Sequence, residues 1–304
     1  ALKANTSVLP IFIFDTAILD ALPKDDARVE FIHQQLTEIQ KSLKAYGSSV
    51  SIYHGKPETI FDQLTDEYEV NTVYCNRDYE PYALERDQHI SDLLASKSIE
   101  FKTFKDQVIF EQNEITKEDG LPYKVYTPFS KKWLAAFTTD HCSTFDSKAL
   151  LDHTYQSDSY SWIDLESLGF QPNAVKISPY NVESAIIENY EATRNFPAVN
   201  GTSKLGPHLR FGTVSVREIV SKAIQHANNT FLKELIWREF FMQILWHFPH
   251  TVTQSFKPQY DGIKWRNDSE DYKKWCNGTT GYPLVDAGMR ELNQTGFMHN
   301  RVRM

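Results

Sequence analysis

Cysteine and long apolar runs are both scarce in this chain of 304 residues. Its three cysteines lie far apart and form neither a CxxC pair nor a zinc-ligand spacing, so we expect ordinary thiols and no metal site. No apolar run approaches the ~20 residues that a membrane-spanning helix needs, and no secretion signal opens the chain. We therefore expect no membrane association and a cytoplasmic location, in the reducing cytosol of a bacterium.

An excess of positive charge is also missing, because the formal net charge is −8. Proteins that bind nucleic acids usually carry a basic surface, so this value argues weakly against such a partner. The charge is unevenly distributed, however, since acidic residues concentrate at 62–69 and 111–119. Basic residues gather near the C-terminal end, at Lys264, Arg266, Arg290, Arg301 and Arg303. This asymmetry is compatible with a local basic surface.

The first hundred residues alternate between short apolar runs and amphipathic segments. The runs at 8–14, 50–53, 72–75 and 99–104 predict strands, and helices are predicted at 24–46 and 82–95. Strands and helices that alternate at these lengths indicate βαβ units and a parallel, Rossmann-like sheet. No glycine-rich GxGxxG motif follows the first predicted strand, so a dinucleotide site of the Rossmann type is not supported. We expect the first strand of this domain to be missing.

The rest of the chain predicts a connector and a helical part. Between 108 and 171, glycine, proline, serine and aspartate repeatedly interrupt any periodic pattern, as in a long functional connection. After residue 172 the pattern is mainly helical. The predicted domains are therefore an α/β domain at 1–107, a connector at 108–171 and an all-helical domain at 172–304.

One predicted helix, at 230–246, combines charged and aromatic side chains on a single face. Glu234, Trp237, Arg238 and Phe241 are spaced at i, i+3, i+4 and i+7. By itself, this helix is most simply interpreted as a core element with an ordinary Glu–Arg pair. The other faces are very apolar, however, and burying a charged pair without a purpose is unfavourable. A pocket for a flat, polar ligand is the alternative.

Two further segments suggest phosphate binding. The turn NGTSK at 200–204 offers backbone N–H groups, two hydroxyls and a cation, although a plain polar loop has the same composition. Near the end of the chain, Asp286 and Arg290 are spaced as a helical pair. The cluster HNRVR at 299–303 then suits DNA phosphates, or is a solvated basic turn.

The order and spacing of these segments resemble the cryptochrome/photolyase family, most of all its class I cyclobutane-dimer DNA photolyases. The resemblance is carried by Tyr190 with TSKLG at 202–206, by ELIWREFF at 234–241, and by the blocks WCNGTTGYPLVDAGMREL and GFMHNRVRM. It covers essentially the whole chain and is densest from Tyr190 onward. It implies an α/β domain joined by a long connector to an all-helical FAD-binding domain, in a chain that is shortened at both ends.

The resemblance also implies roles for single residues. The FAD site would comprise Tyr190, Thr202, Ser203, Lys204, Leu205, Gly206, Phe231, Glu234, Arg238, Phe297, Asn300 and Arg303. Phe231 departs from the family, which often has tryptophan at this position. Glu234, Trp237 and Asn300 would be catalytic. DNA or the lesion would be contacted by Arg194, Glu234, Trp237, Phe241, Asn300, Arg301 and Met304. Trp265 matches the outermost tryptophan of the chain that photoreduces the flavin.

The function implied by the resemblance is light-driven repair of cyclobutane pyrimidine dimers in UV-damaged DNA, carried out by a monomer. The alternatives are a cryptochrome-type photoreceptor without repair activity and, more distantly, a nucleotide-binding α/β domain with a helical appendage. Tyr82-Ala83 stands where the folate-binding branch has Asn-Glu, so folate is disfavoured as an antenna, and a deazaflavin, a second flavin or no antenna remain. Because the family's flavin site continues beyond HNRxRM, we expect residues 1–304 alone to bind FAD poorly and to repair weakly or not at all.

Overall fold

The computed structural model describes residues 1–157 and 159–303, which form two compact units. The first unit comprises residues 1–77, 82–104 and the described part of 145–174. The second comprises 78–81, 105–144 and the described residues from 175 onward. The predicted connector therefore does not form a unit of its own, since its first part belongs to the second unit and its last part to the first.

The first unit contains short parallel sheets with helices between the strands. Its elements are β1 (Ile11–Asp15), α1 (Thr16–Leu19), α2 (Ala27–Lys44), β2 (Ser51–Gly55), α3 (Pro57–Glu67), β3 (Thr72–Asn76), α4 (Pro81–Ser96) and β4 (Glu100–Phe104). Strand β1 pairs in parallel with β2, with Ile11 opposite Ser51, and β3 pairs in parallel with β4, with Thr72 opposite Glu100. The four predicted strands and their parallel pairing are confirmed.

The strands form two separate sheets of two strands each, where the sequence suggested one sheet. Residues of β1 and β3 line the same cavity, which has a volume of about 820 Å³. Within the part of the chain that the structure describes, β1 pairs only with β2 and β3 pairs only with β4.

Helix α2 illustrates how the sequence produces the core of the first unit. Asp26 caps the helix, because its carboxylate accepts a hydrogen bond from the backbone N–H of Arg28 at 2.9 Å. The apolar stripe of Val29 and Leu36 is buried with residues of β1 and β2. Leu168 and Phe170 complete this core, which explains why the later part of the predicted connector belongs to the first unit.

The second unit is helical. Its helices are α5 (Tyr126–Ala136), α6 (Ser184–Thr193), α7 (Gly206–Arg210), α8 (Val216–Ala223), α9 (Thr230–His247), α10 (Ser269–Asn277), α11 (Pro283–Thr295) and α12 (Asn300–Arg303). The core joins residues of 105–144, among them Phe129 and Trp133, to α8 and α9. The predicted fold class, an α/β part followed by a helical part, is thus confirmed.

Close packing at a glycine brings the last two helices together. A Cβ atom at Gly288 of α11 would lie 2.3 Å from Cγ1 of Val302 in α12, so only glycine allows this approach. Gly296 ends α11 with a φ of +68°, and a Cβ there would lie 2.7 Å from Ile177. These two contacts fix where the HNRVR cluster lies relative to α11.

The described residues lack two features, a membrane-spanning helix and a metal-binding cluster. None of their helices is both long and apolar enough to cross a membrane. No group of three or more histidine, cysteine, aspartate or glutamate side chains in these ranges could hold a metal ion.

Candidate flavin and DNA site

A cavity of about 700 Å³ lies in the second unit, between the end of α6, the turn before α7, α9 and the residues from 297 onward. The structure places all twelve residues that the resemblance assigns to the FAD site on its wall, namely Tyr190, Thr202, Ser203, Lys204, Leu205, Gly206, Phe231, Glu234, Arg238, Phe297, Asn300 and Arg303. Arg194, Trp237, Phe241 and Arg301 line the same cavity. One wall therefore combines candidate flavin-binding and candidate DNA-binding residues.

Helix α9 supplies the charged and aromatic side of the cavity. Its other side is buried in the core, with Leu232, Ile236 and Phe240 among the buried residues. The stripe predicted at i, i+3, i+4 and i+7 therefore faces the cavity, and Phe241 at its end is 62% exposed. Of the two interpretations of this helix, the structure supports the one with a pocket.

Arg238 is held by backbone carbonyl groups. Its Nη1 donates to the carbonyl of Gln107 at 2.6 Å, and its Nη2 donates to the carbonyl of Leu209 at 3.2 Å. Burial lowers the pKa of Arg238, but an arginine remains charged at neutral pH. A cation with a fixed position is therefore present on the cavity wall.

Glu234 forms an ion pair with Arg194, the residue that directly follows α6. The Arg194 guanidinium also lies 6.0 Å from the centroid of the Tyr190 ring. Glu234 was assigned to the dimer and Arg194 to DNA, and the structure joins these two side chains directly. A ligand that forms a hydrogen bond with Glu234 or Arg194 must share this ion pair or replace it.

The turn at 202–206 packs tightly against the end of α6. A Cβ atom at Gly201 would lie 2.4 Å from Cβ of Thr193, so the backbone here approaches the helix more closely than a side chain would allow. Lys204 has a φ of +55°, in the left-handed region. A Cβ at Gly206 would meet no atom within 4 Å. The space beside Gly206 is therefore open, and this residue lines the cavity.

Asp286 and Arg290 lie on α11 with the predicted helical spacing, and each hydrogen-bonds the turn that precedes the helix. Asp286 accepts hydrogen bonds from the N–H and hydroxyl of Thr280 and from the N–H of Gly281, at 2.6 to 3.0 Å. Arg290 Nε donates to the carbonyl of Gly278 at 3.0 Å. Both side chains thus hold the preceding turn. The Thr280 hydroxyl is the main cause of the lowered pKa of Asp286.

The basic cluster after α11 is partly anchored. Arg301 Nε donates to Oδ1 of Asn195 at 2.8 Å, and the backbone N–H of Arg301 donates to Nδ1 of the buried His299 at 3.1 Å. Met304, assigned to the lesion, lies outside the described residues. Trp265 is 72% exposed, and it is not among the described residues that line the cavity.

Sequence reasoning missed a polar stripe on the buried side of α9. Glu239, only 3% exposed, accepts hydrogen bonds from the N–H groups of Ile109 and Phe110 and from Nε1 of Trp133, at 2.7 to 3.1 Å. Gln243 Nε2 donates to the carbonyl of Phe110 at 2.9 Å. The polar i, i+4 spacing of 239 and 243 within an apolar helix was the available signal.

Sequence reasoning also missed Tyr126, the first residue of α5. Its ring stacks on Trp237 with the centroids 3.6 Å apart and the planes at 7°. No motif points to this residue, because its partner lies in a helix that is remote in the sequence.

Sequence comparison relates both ends of the chain to known families. Residues 1–147 match the family described as DNA photolyase, and residues 231–304 match the FAD binding domain of DNA photolyase. The deoxyribodipyrimidine photo-lyase of Agrobacterium fabrum is 32% identical over 327 residues, covering 100% of this chain and 67% of that protein. Cryptochrome-2 of Arabidopsis thaliana is 28% identical, covering 98% of this chain and 54% of that protein.

Solved structures agree with this result. A class III photolyase from Agrobacterium tumefaciens superposes with a TM-score of 0.83 at 28% identity, covering 100% of this chain and 66% of that one. An archaeal photolyase from Sulfolobus tokodaii, solved with two FAD molecules, gives a TM-score of 0.74 at 28% identity, covering 99% and 68%. The chain spans 54% to 68% of the length of these four proteins. It belongs to the cryptochrome/photolyase family.

Proposed function

We propose that the protein containing this chain repairs cyclobutane pyrimidine dimers in UV-damaged DNA with light, using FAD held in the cavity of the second unit. The observation that carries the proposal is the shared cavity wall, where Glu234 and Trp237 stand among all the candidate flavin residues. A volume of about 700 Å³ lies within the range of ligand pockets. The match of residues 231–304 to an FAD-binding domain supports the choice of cofactor.

The residues present fit a flavin dinucleotide. Backbone N–H groups of the 202–206 turn, together with the Lys204 ammonium, would hold the pyrophosphate, because such turns bind anions. Tyr190 and Phe231, whose ring centroids are 5.2 Å apart, would contact a flat ring system. Phe231 can make this contact although the family often has tryptophan there. The fixed Arg238 would add positive charge beside the cofactor.

The same wall fits a flipped-out pair of bases. Extruding a dimer from the duplex costs a few kcal/mol, and stacking on an aromatic side chain recovers ~1–3 kcal/mol per base. Trp237 would supply that stacking surface, and Glu234 would hydrogen-bond the dimer and stabilise the charge that develops on it. Arg194 and Arg301 would contact DNA phosphates. Bound FAD, when reduced and excited by light, would supply the electron that opens the cyclobutane ring.

A cryptochrome-type photoreceptor is the second candidate, favoured by the 28% identity to Cryptochrome-2 of Arabidopsis thaliana. Both candidate functions would use the same flavin cavity. Only repair would need a pyrimidine dimer to bind beside the flavin. The combination of Glu234 and Trp237 supports repair, since the resemblance implies that signalling members commonly lose this pair. An antenna chromophore in the first unit would fit either candidate.

The test is the loss of dimers from UV-irradiated DNA, followed with the full-length protein in blue light and in darkness. We expect loss in light only, and a flavin absorption spectrum from the purified protein. A flavin spectrum without light-dependent repair would favour the photoreceptor. A protein that purifies without flavin and cannot be loaded with FAD would contradict the assignment of the cavity. An absorption band that FAD does not account for would indicate a non-flavin antenna chromophore.

A further inference from the structure

Tyr126 lies directly behind Trp237 as seen from the cavity. The two rings are nearly parallel, with centroids 3.6 Å apart and planes at 7°, so the phenol stacks on one face of the indole. Trp237 lines the cavity, whereas Tyr126 is not among its lining residues. The face of the indole that Tyr126 contacts is therefore closed to ligands. Phe241, which also lines the cavity, stacks on the indole too, with centroids 5.5 Å apart and planes at 25°, so a flat ligand has only the remaining indole surface and the Phe241 ring to stack on.

The position of Tyr126 is fixed by two kinds of contact. Its hydroxyl donates to the backbone carbonyl of Lys233 at 2.9 Å, one helical turn before Trp237 on α9. The buried Phe240 meets both rings edge-on, at 5.9 Å from Tyr126 with planes at 74° and at 5.7 Å from Trp237 with planes at 79°. Rotating the indole would therefore break contacts with both neighbours.

The hydroxyl of Tyr126 keeps its proton over the working pH range. Burial first, and the nearby Glu234 second, raises the pKa of Tyr126 to about 12. The hydrogen bond to Lys233 is therefore present in neutral and moderately alkaline solution. Trp237 is thus backed by a ring that is itself bonded to the same helix.

From this geometry we infer that Tyr126 is a positioning residue, which sets the plane of Trp237 and presents one indole face to a flipped-out pyrimidine dimer. The inference rests on the proposed function and deepens it, because it assigns the discrimination between damaged and intact DNA partly to a residue outside the cavity. Because the indole is already held in one orientation, it avoids the loss of conformational entropy that a freely rotating side chain would undergo when a ligand stacks on it.

Three variants test the inference in the full-length, FAD-loaded protein. Tyr126→Leu and Tyr126→Met remove the ring and replace it with a branched and an unbranched aliphatic side chain, and Tyr126→Phe keeps the stack but loses the hydroxyl. Tyr272→Leu is the matched control, because Tyr272 on α10 also stands beside a tryptophan, Trp275, at 5.8 Å, and is 64% exposed outside the cavity. The measurement is the dissociation constant in darkness for a dimer-containing oligonucleotide and for the same oligonucleotide undamaged.

We expect Tyr126→Leu and Tyr126→Met to lower the preference for damaged DNA about 3- to 10-fold, the range that one aromatic contact supplies. Affinity for undamaged DNA should not change, Tyr126→Phe should restore most of the preference, and Tyr272→Leu should behave as wild type. If Tyr126→Leu does not fold, Tyr126→Met is interpreted in the same way. Wild-type discrimination in a folded ring-deleted variant would overturn the inference alone, whereas a wild-type protein without any preference would overturn the proposed function and the inference with it.

Discussion

Glu234 and Glu239 show how much the surroundings of a residue decide its role, since both belong to α9. Glu234 lies on the cavity wall and pairs with Arg194. Glu239 is buried and accepts hydrogen bonds from backbone N–H groups and from Trp133. Helical spacing could place Glu234 beside Trp237, because that relation is local. It could not name the partners of Glu239, since these lie up to 130 residues earlier in the chain.

A prediction about pH dependence belongs to Glu239. Burial raises its pKa to about 7 from an ordinary 4.5, and its three N–H donors limit the rise. The folded protein therefore binds more protons than the unfolded chain between these two values. The contribution of Glu239 to the free energy of unfolding is fully present below about pH 4.5. It is lost as the pH rises through about 7, a change of about 3 kcal/mol.

Thermal unfolding of wild type and Glu239→Gln between about pH 5 and about pH 8 tests this. The glutamine does not titrate, so the advantage of wild type over Glu239→Gln should shrink as the pH rises. Glu270→Gln, in the first turn of α10 and paired with Lys273 on the surface, is the control. A constant or growing advantage of wild type would show that Glu239 is ionised in the folded protein throughout this range.

At the scale of elements, the sequence predicted the helices and strands well and their grouping less well. The strand alternation and helix α9 follow from local periodicity. The region 108–171 looked like a separate connector because its pattern is irregular. Its residues instead complete two cores, through Phe129 and Trp133 in one unit and Leu168 and Phe170 in the other. Such long-range packing leaves no periodic pattern in the sequence.

The contact between α11 and α12 gives a prediction at this scale. In Gly288→Ala the new Cβ would lie 2.3 Å from Cγ1 of Val302, so the Val302 side chain or helix α12 as a whole must shift. Overpacking of this kind typically costs about 1–3 kcal/mol of stability. Because Phe297, Asn300 and Arg303 line the cavity next to this contact, FAD affinity should fall as well.

The matched control for Gly288→Ala is Gly262→Ala, where a Cβ would meet no atom within 4 Å. The thermal stability of this control and its FAD affinity in a titration should both be close to those of the wild type. Equal FAD affinity in Gly288→Ala and wild type would show that the position of α12 does not matter for the cavity.

At the scale of the whole molecule, the chain consists of an α/β unit and a helical unit, and the candidate site was found in the helical one. The net charge of −8 gave no hint of a DNA partner, whereas the basic cluster near the C-terminal end did. The structure brings Arg194, Arg301 and Arg303 to the same cavity, although the first of these is distant in the sequence from the other two. Local charge around a site is therefore more informative here than the sum over the chain.

The most direct measurement is the number of dimers removed per bound FAD in blue light by the full-length protein, its Glu234→Ala variant and a Glu270→Ala control. Glu270 lies on the surface of α10, outside the described lining of the cavity. The account predicts that wild type and control repair dimers in light. It predicts that the repair rate of Glu234→Ala is reduced about tenfold or more, because a preorganised group at the developing charge is lost. Repair by Glu234→Ala at the wild-type rate, or wild-type repair that proceeds equally in darkness, would contradict it.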